Sequence, residues 1–410
     1  MRKKIKARDL QPGMHLDELC GSWMEHPFWR SKFVLKDPED IRRIIDSGIT
    51  EVWIDTAKGL DVPGPTPQQT EQAVTAMLME AELDRPAPRP QPAAAVQATP
   101  LDEELKRAAA IVGKARHAVV SMFQEVRMGK AVSAESAGAL VEEISSSVLR
   151  NPGALISLAR LKTADDYTYM HSVAVCALMV SLARQLDLGE ADVREAGMAG
   201  LLHDLGKAKM PMEVLNKPGK LTDEEFRIIK NHPVEGHRLL VEGGSASEIV
   251  LDVCLHHHEK VDGTGYPDRL SDAQITRFAK MGAVCDVYDA ITSNRPYKAG
   301  WDPAASIRKM VEWSNGHFDE KIFQAFVKSI GIYPTGSLVK LASGRLAVVL
   351  EQSGKSLLSP RVKVFYSTRS RSYLVPEVID LAHPGASDKI VGREDAATWG
   401  IKNLDSLWSG

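Results

Sequence analysis

Cysteine is scarce and scattered. The 410 residues contain four, at Cys20, Cys176, Cys254 and Cys285. None forms a CxxC pair, which argues against a disulfide framework and a zinc ribbon and fits a reducing, cytoplasmic compartment. Cys176, Cys254 and Cys285 stand in apolar, helix-like contexts and read as core fillers. Long hydrophobic runs are missing too. The longest, around Val173 to Ala183, is too short to cross a bilayer. The basic start, Met1-Arg2-Lys3-Lys4, is not followed by the apolar segment of a signal peptide. No membrane span is expected. Nor is there an excess of one charge. Fifty-one Lys and Arg face 54 Asp and Glu, a net charge of -3, which leaves no overall basic footprint for duplex nucleic acid.

What is present begins with enough apolar material for a sizeable core, 44% of residues, in a chain long enough for about two to three domains. Residues 1–60 read as a small α+β domain. Asp37-Pro38 looks like a helix N-cap with proline at the first helical position. Ile41, Ile44 and Ile45 then form one apolar face, Gly48 ends the helix, and Ile49 to Asp55 reads as a strand. Trp23, Phe28, Trp29 and Phe33 read as the core of this unit. Residues 61–100 form a Pro/Ala-rich linker around Pro86 to Pro92, with room for a short helix at Gln72 to Leu83.

Residues 101–135 are expected to form a connecting helix. Leu101, Leu105, Ala108, Ile111 and Val112 share one face, continued by Val119, Met122, Phe123 and Val126. Such a helix is either the first member of a bundle or a connector that transmits a signal or supports a homodimer. From residue 151 to 333 the pattern is almost all helical. Thr222-Asp223-Glu224-Glu225 is a capping-box signal, and His232, ahead of Pro233, is expected to cap the next helix. Residues 334–410 change to period two, with Ser337 to Glu351 and Arg361 to Tyr366 alternating and Gly344 and Gly354 as turn residues. They read as a small β appendix.

The helical stretch carries seven metal-type side chains: His171, His203, Asp204, His232, His257, His258 and Asp286. The gaps between groups run from 25 to 32 residues, roughly one helical hairpin each. Ligand-type groups returning at that interval suggest helices converging on one centre. Asp204 follows His203 directly, so the pair can serve two adjacent cations with the carboxylate between them. Imidazoles and carboxylates without thiolate favour iron, manganese or zinc over magnesium or calcium. Lys207, one turn past Asp204, is placed to contact a phosphate or to protonate a leaving oxygen.

The ordered series His203-Asp204-Leu205-Gly206-Lys207, His257-His258-Glu259, Asp262-Gly263-Thr264-Gly265-Tyr266-Pro267, Asp286-Val287-Tyr288-Asp289-Ala290 and Arg295-Pro296-Tyr297 carries a resemblance. Over residues 136–333 the chain resembles the HD-GYP domain of the HD phosphohydrolase superfamily. The N-terminal unit resembles a domain of unknown function often found ahead of it, through Pro27-Phe28-Trp29 and Ile49 to Thr56. The resemblance implies a mainly α protein: an HD-type helical bundle with the small α+β domain before it and the β appendix after it.

It implies, further, that His171, His203, Asp204, His232, His257, His258 and Asp286 are metal ligands for two divalent ions, iron or manganese first and zinc next. Some members add a glutamate one turn before the first histidine to hold a third ion. Here that position is Tyr167. The implied reaction is hydrolysis of the bacterial second messenger cyclic di-GMP to pGpG, with GMP left open as the end product, by a bridging hydroxide on the dinuclear centre. Asp204 and Lys207 are the implied catalytic residues, and Arg295 and Lys298 the substrate-contacting pair. Tyr266 is presented either to substrate or, within the Gly265-Tyr266-Pro267 loop, to a protein partner such as a diguanylate cyclase. His237, His256 and His317 have no matched role. Asp289 reads as helix packing or as support behind the ligands. Three rival readings stand beside this one: a catalytically weak cyclic di-GMP receptor acting through protein partners, a hydrolase of another nucleotide, and a scaffold with a purely structural metal.

Overall fold

The structure, a computed structural model of the chain, describes residues 2–20, 32–46, 51–55, 58–60, 99–130, 134–161, 167–217, 219, 221–293, 300–353 and 356–409. Trp23, Phe28, Trp29, Gly48, the segment 61–98, Arg295, Lys298 and Gly354 lie outside the described residues, as does the side chain of Tyr167. The chain divides into two compact units, residues 1–76 and 77–410.

In the first unit, strands β1 (Arg2–Lys6), β2 (His15–Cys20), β3 (Phe33–Val34) and β4 (Glu51–Asp55) form an antiparallel sheet in the order β1-β4-β2-β3. Helix α1 (Pro38–Asp46) starts as its sequence dictates: the Asp37 carboxylate accepts the Glu39 amide at 2.9 Å. Ile41 and Ile44 are buried with Leu16, Val52 and Ile54, and Phe33 packs against them. Ile45 departs from the expected face and is exposed, because the seam here follows the i, i+3 spacing alone.

The second unit is a helical bundle followed by a sheet. Its centre is α5 (Tyr167–Gln185), counting α2 (Leu101–Arg127), α3 (Ala134–Arg150) and α4 (Pro152–Arg160) before it. Val173 to Ala183, the longest apolar run, is buried on every side of α5, as a core helix should be. Helices α6 (Glu190–Leu202) and α11 (Arg277–Thr292) pack on it, with α7 (Met212–Leu215), α8 (Asp223–Ile229), α9 (His232–Gly243) and α10 (Glu248–His256) between them in the chain. Helix α2 packs on α3, α4 and α5, with Leu101, Leu105, Ala108, Ile111, Val119, Phe123 and Val126 buried. Among the described residues no helix is long and apolar enough to cross a membrane.

The Thr222 capping box forms at the start of α8: Thr222 accepts the Glu225 amide at 3.2 Å and Glu225 accepts the Thr222 amide at 2.7 Å. The cap of α9 differs from the expectation. Asn231 is the N-cap and His232 the first helical residue, because the His232 ring is spent on a bond to Ile229 O at 2.7 Å.

After α12 (Pro303–His317) and α13 (Glu320–Ile330), strands β5 (Leu338–Leu341), β6 (Arg345–Glu351), β7 (Arg361–Ser367), β8 (Ser372–Asp380) and β9 (Ile390–Arg393) form an antiparallel sheet ordered β8-β7-β6-β5-β9. The expected alternation holds at the level of strand faces but not of burial. Leu346 through Leu350 are all buried, so β6 is covered on both faces. The short helix α14 (Ser406–Ser409), carrying buried Trp408, packs against it.

Candidate metal centre and substrate cleft

The His-Asp doublet lies just beyond a helix rather than inside one. Helix α6 ends at Leu202, His203 is its C-cap, and a 3-10 turn spans Leu205–Lys209. That turn is pressed against the start of α9. A Cβ added at Gly206 would lie 1.9 Å from His232 O and 2.5 Å from Gly236 N. Only glycine permits this approach, and the approach is what brings His232 beside Asp204.

The structure brings all seven ligand-type residues together. His171 comes from α5, His203 and Asp204 from the end of α6, His232 from the start of α9, His257 and His258 from the end of α10, and Asp286 from α11. Six are buried, and His258 is partly exposed. Their donor atoms fall into three overlapping sets, each with all atoms within 4.8 Å: His171, His203 and Asp286; His203, Asp204 and His257; His232, His257 and His258.

Asp204 divides its carboxylate between the two sides. Oδ2 lies 3.4 Å from the Nε2 atoms of both His171 and His203. Oδ1 lies 3.1 Å from His232 Nε2 and 3.8 Å from His257 Nε2. Lys207 Nζ donates to Oδ2 at 2.5 Å. Burial works against charge on this carboxyl, but Lys207 and His203 hold it well below the usual carboxylate range. Asp286 is likewise held well below that range against burial, by the His171 hydrogen bond and neighbouring imidazoles.

The outer edges of the rings fix their inner edges. His203 Nδ1 meets Gly200 O at 2.8 Å, His232 Nδ1 meets Ile229 O at 2.7 Å, and His257 Nδ1 meets Val253 O at 3.0 Å. A carbonyl oxygen only accepts, so each ring carries its proton on Nδ1 and turns a bare Nε2 inward. The inward atoms of His232 and His257 stand 3.3 Å apart. Two lone pairs that close repel unless a cation lies between them. Asp204 Oδ1, buried and without a well-formed hydrogen bond, points to the same conclusion. Burial also pushes the His258 imidazole down to about 3 and His257 well below its ordinary value, which keeps both neutral and available as ligands. The donor set therefore fits divalent metal ions.

Behind the ligands, Asp289 accepts from His171 Nδ1 at 2.6 Å, while Asp286 Oδ1 lies 2.9 Å from its Nε2. Asp289, buried on α11, thus steadies the His171 ring. Tyr266 stacks on His258, with ring centroids 4.6 Å apart and planes 30° from parallel. Burial and the charges of Asp286 and Asp204 push its phenol up. Outside this ring opens a cleft of about 670 Å³ that is also lined by Arg227, Lys230 and Arg269. Lys230 Nζ lies 5.0 Å from the Tyr266 ring centroid, a cation–π distance. His237, His256 and His317 belong to none of the three donor sets.

Two residues at or beside this cleft have roles that the sequence did not assign. Lys230 carries no spacing signal. Glu259 does carry one, as an acid between the His pair and a Gly-rich loop. Buried to 2% exposure, it accepts the amides of Asp268 at 2.7 Å, Arg269 at 2.9 Å and Leu270 at 3.0 Å. It thereby pins the loop that carries Tyr266.

A helical domain closing imidazoles and shared carboxylates around one centre defines a metal-binding protein of the HD class. Residues 148–322 match the HD domain family and residues 2–137 a domain of unknown function, DUF3391. Over 411 aligned residues the chain is 54% identical to Cyclic di-GMP phosphodiesterase PA4108 of Pseudomonas aeruginosa, covering 100% of this chain and 96% of that protein. It is 32% identical over 190 residues to 3'3'-cGAMP-specific phosphodiesterase 1 of Vibrio cholerae, covering 46% of this chain and 42% of the relative. A solved structure, Bd1817, an HDG"Y"P protein from Bdellovibrio bacteriovorus, aligns with TM-score 0.46 at 16% identity over 80% of this chain and 99% of its own. The chain belongs to the HD-GYP family of HD domain proteins, with a DUF3391 domain ahead of its HD domain.

Proposed function

We propose that this chain hydrolyses cyclic di-GMP, opening one phosphodiester to give linear pGpG, within a catalytic domain spanning residues 136–333. The observation that carries the reading is the Asp204 carboxylate, shared between two facing groups of imidazoles. That arrangement suits a pair of cations with one carboxylate between them. His171, His203 and Asp286 would hold one side, His232, His257 and His258 the other. Two divalent ions bound there supply Lewis acidity for the phosphoryl oxygens and lower the pKa of water.

The chain's own residues do the rest. Asp204, kept ionised, holds both sides in register. Lys207, one turn away, steadies charge gathering on the phosphoryl group and returns a proton to the departing 3' oxygen. Tyr266 offers a ring face for a base and keeps water from the outer side of His258. Arg295 and Lys298, outside the described residues, are assigned to orienting the phosphates, and a forked guanidinium suits that task. The 54% identity to a protein named for this activity supports the substrate.

The test is anaerobic purification, metal quantification and chromatography of cyclic di-GMP and 3'3'-cGAMP digests beside Asp204→Ala. The expected result is about two metals per chain, pGpG from the wild type, and none from the variant. Equal cleavage by Asp204→Ala, or no cleavage across iron, manganese and zinc, would overturn the reading.

A further inference from the structure

Behind the metal centre lies a second cavity, of about 480 Å³. It is walled by α4, α11, the end of α13 and the C-terminal sheet. Its size is that of a small-molecule site, and most of its wall is apolar, including Ile156, Leu178 and Ile330.

The charges on this wall are unequal in what they already do. Its carboxylates are engaged. Glu351 accepts from Asn151 Nδ2 at 2.7 Å and faces Arg361 at 3.7 Å, and Asp289 holds His171. Two of its cations are engaged as well: Arg150 donates to Glu104 at 2.8 Å, and Arg160 faces Asp405 at 3.7 Å and the Trp408 ring at 5.5 Å. The third is not. The half-buried Lys328 ammonium lines the cavity and makes no ion pair or hydrogen bond with any described residue.

We propose that this cavity binds a small molecule made of an apolar body and one carboxylate, with the carboxylate meeting Lys328. The site also reaches the metal centre. Tyr288, Asp289 and Thr292 form the cavity's α11 wall, and Asp289 orients His171. A ligand packed against that wall shifts the Asp289–His171 pair, and so occupancy and metal binding are linked. This second clause rests on the metal-centre reading; the binding clause does not. Linkage is reciprocal, so metal must change the affinity for the ligand by the factor by which ligand changes the affinity for metal.

The test is calorimetric titration of the full chain with sodium decanoate, once metal-free and once loaded with manganese. One saturable site is expected, weakened at least about tenfold by Lys328→Glu, a loss of the size a charged hydrogen bond supplies. Ile156→Trp, which fills the apolar body of the cavity, should abolish it. Should Ile156→Trp unfold, Lys328→Glu decides alone. Absence of a saturable site, or a Kd unchanged in Lys328→Glu, overturns the binding site. A Kd equal in metal-free and loaded protein overturns the linkage. Decanoate binding in a chain that takes up no manganese removes the linkage and the metal-centre reading while leaving the site standing.

Discussion

Asp289 holds the outer nitrogen of His171 at 2.6 Å from a helix 118 residues further along the chain. The bond decides which way the His171 lone pair faces. Asp289→Asn keeps the shape but not the charge, and its amide can present a donor where the ring needs an acceptor. We expect metal affinity to fall about 10- to 100-fold with the fold intact. Chelator competition beside a thermal melt measures both. Unchanged metal retention would reduce Asp289 to a packing residue.

Glu259→Gln should act on substrate binding more than on turnover. Its carboxylate accepts three successive loop amides. Glutamine would set an amide donor against at least one of them, a mismatch of about 1–3 kcal/mol. The Tyr266 loop would then loosen. A rise in KM of about fivefold or more, with a smaller change in kcat, is the expected pattern. A fall in kcat at constant KM would place Glu259 in the chemistry instead.

Gly206→Ala should damage the site without touching a ligand. Its Cβ would sit 1.9 Å from His232 O, so the turn and helix α9 must separate. Overpacking of this kind destabilises by about 1–3 kcal/mol, and His232 would move with its helix. A lower melting temperature together with loss of metal is expected. A normal melt with full metal content would show that the junction yields without cost.

The pair Glu104 and Arg150 supports the bundle in a pH-dependent way. Fully buried Glu104 takes two bonds from Arg150, each 2.8 Å, and one from Ser147 at 2.8 Å. Burial opposes its charge, yet these partners hold the carboxyl below its ordinary value of 4.5. Its folded pKa is therefore lower than its unfolded one. The pair's stabilisation is complete above the unfolded value and is lost as pH falls through the folded one. Glu104→Gln should lower stability by about 3 kcal/mol near neutrality. The gap from wild type should narrow as pH drops below 4.5. Denaturant melts across that range are the check, and a gap independent of pH would show that the charge is not what matters.

The centre was legible because its residue types are rare in a core and recur in a fixed order. His171, His203, Asp204, His232, His257, His258 and Asp286 announce themselves by chemistry, whatever the local backbone. Lys207 was placed by its spacing from Asp204, and the two side chains do meet, although the backbone there is a 3-10 turn and not the helix that spacing suggested. Residues that work by geometry were harder. Glu259 stands in the His257-His258-Glu259 series, but its hold on the loop amides shows only once the loop has folded around it, and Lys230 looks like a solvated lysine on a polar helix. Ile45 was misplaced because periodicity names a face but not its edges. The double burial of β6 depends on residues distant in sequence, Trp408 among them, that cover its second side.

His171 and Asp286 are 115 residues apart in sequence and 2.9 Å apart in space. Closing so long a loop carries an entropy penalty that grows only slowly with its length. A cation gripped from both ends would act as a cross-link, restraining the unfolded chain as a covalent bridge does in secreted proteins. A chain whose Cys176, Cys254 and Cys285 are free thiols would then draw its tie from the ions that the proposed chemistry needs. Stripping them would loosen the bundle as well as silence it.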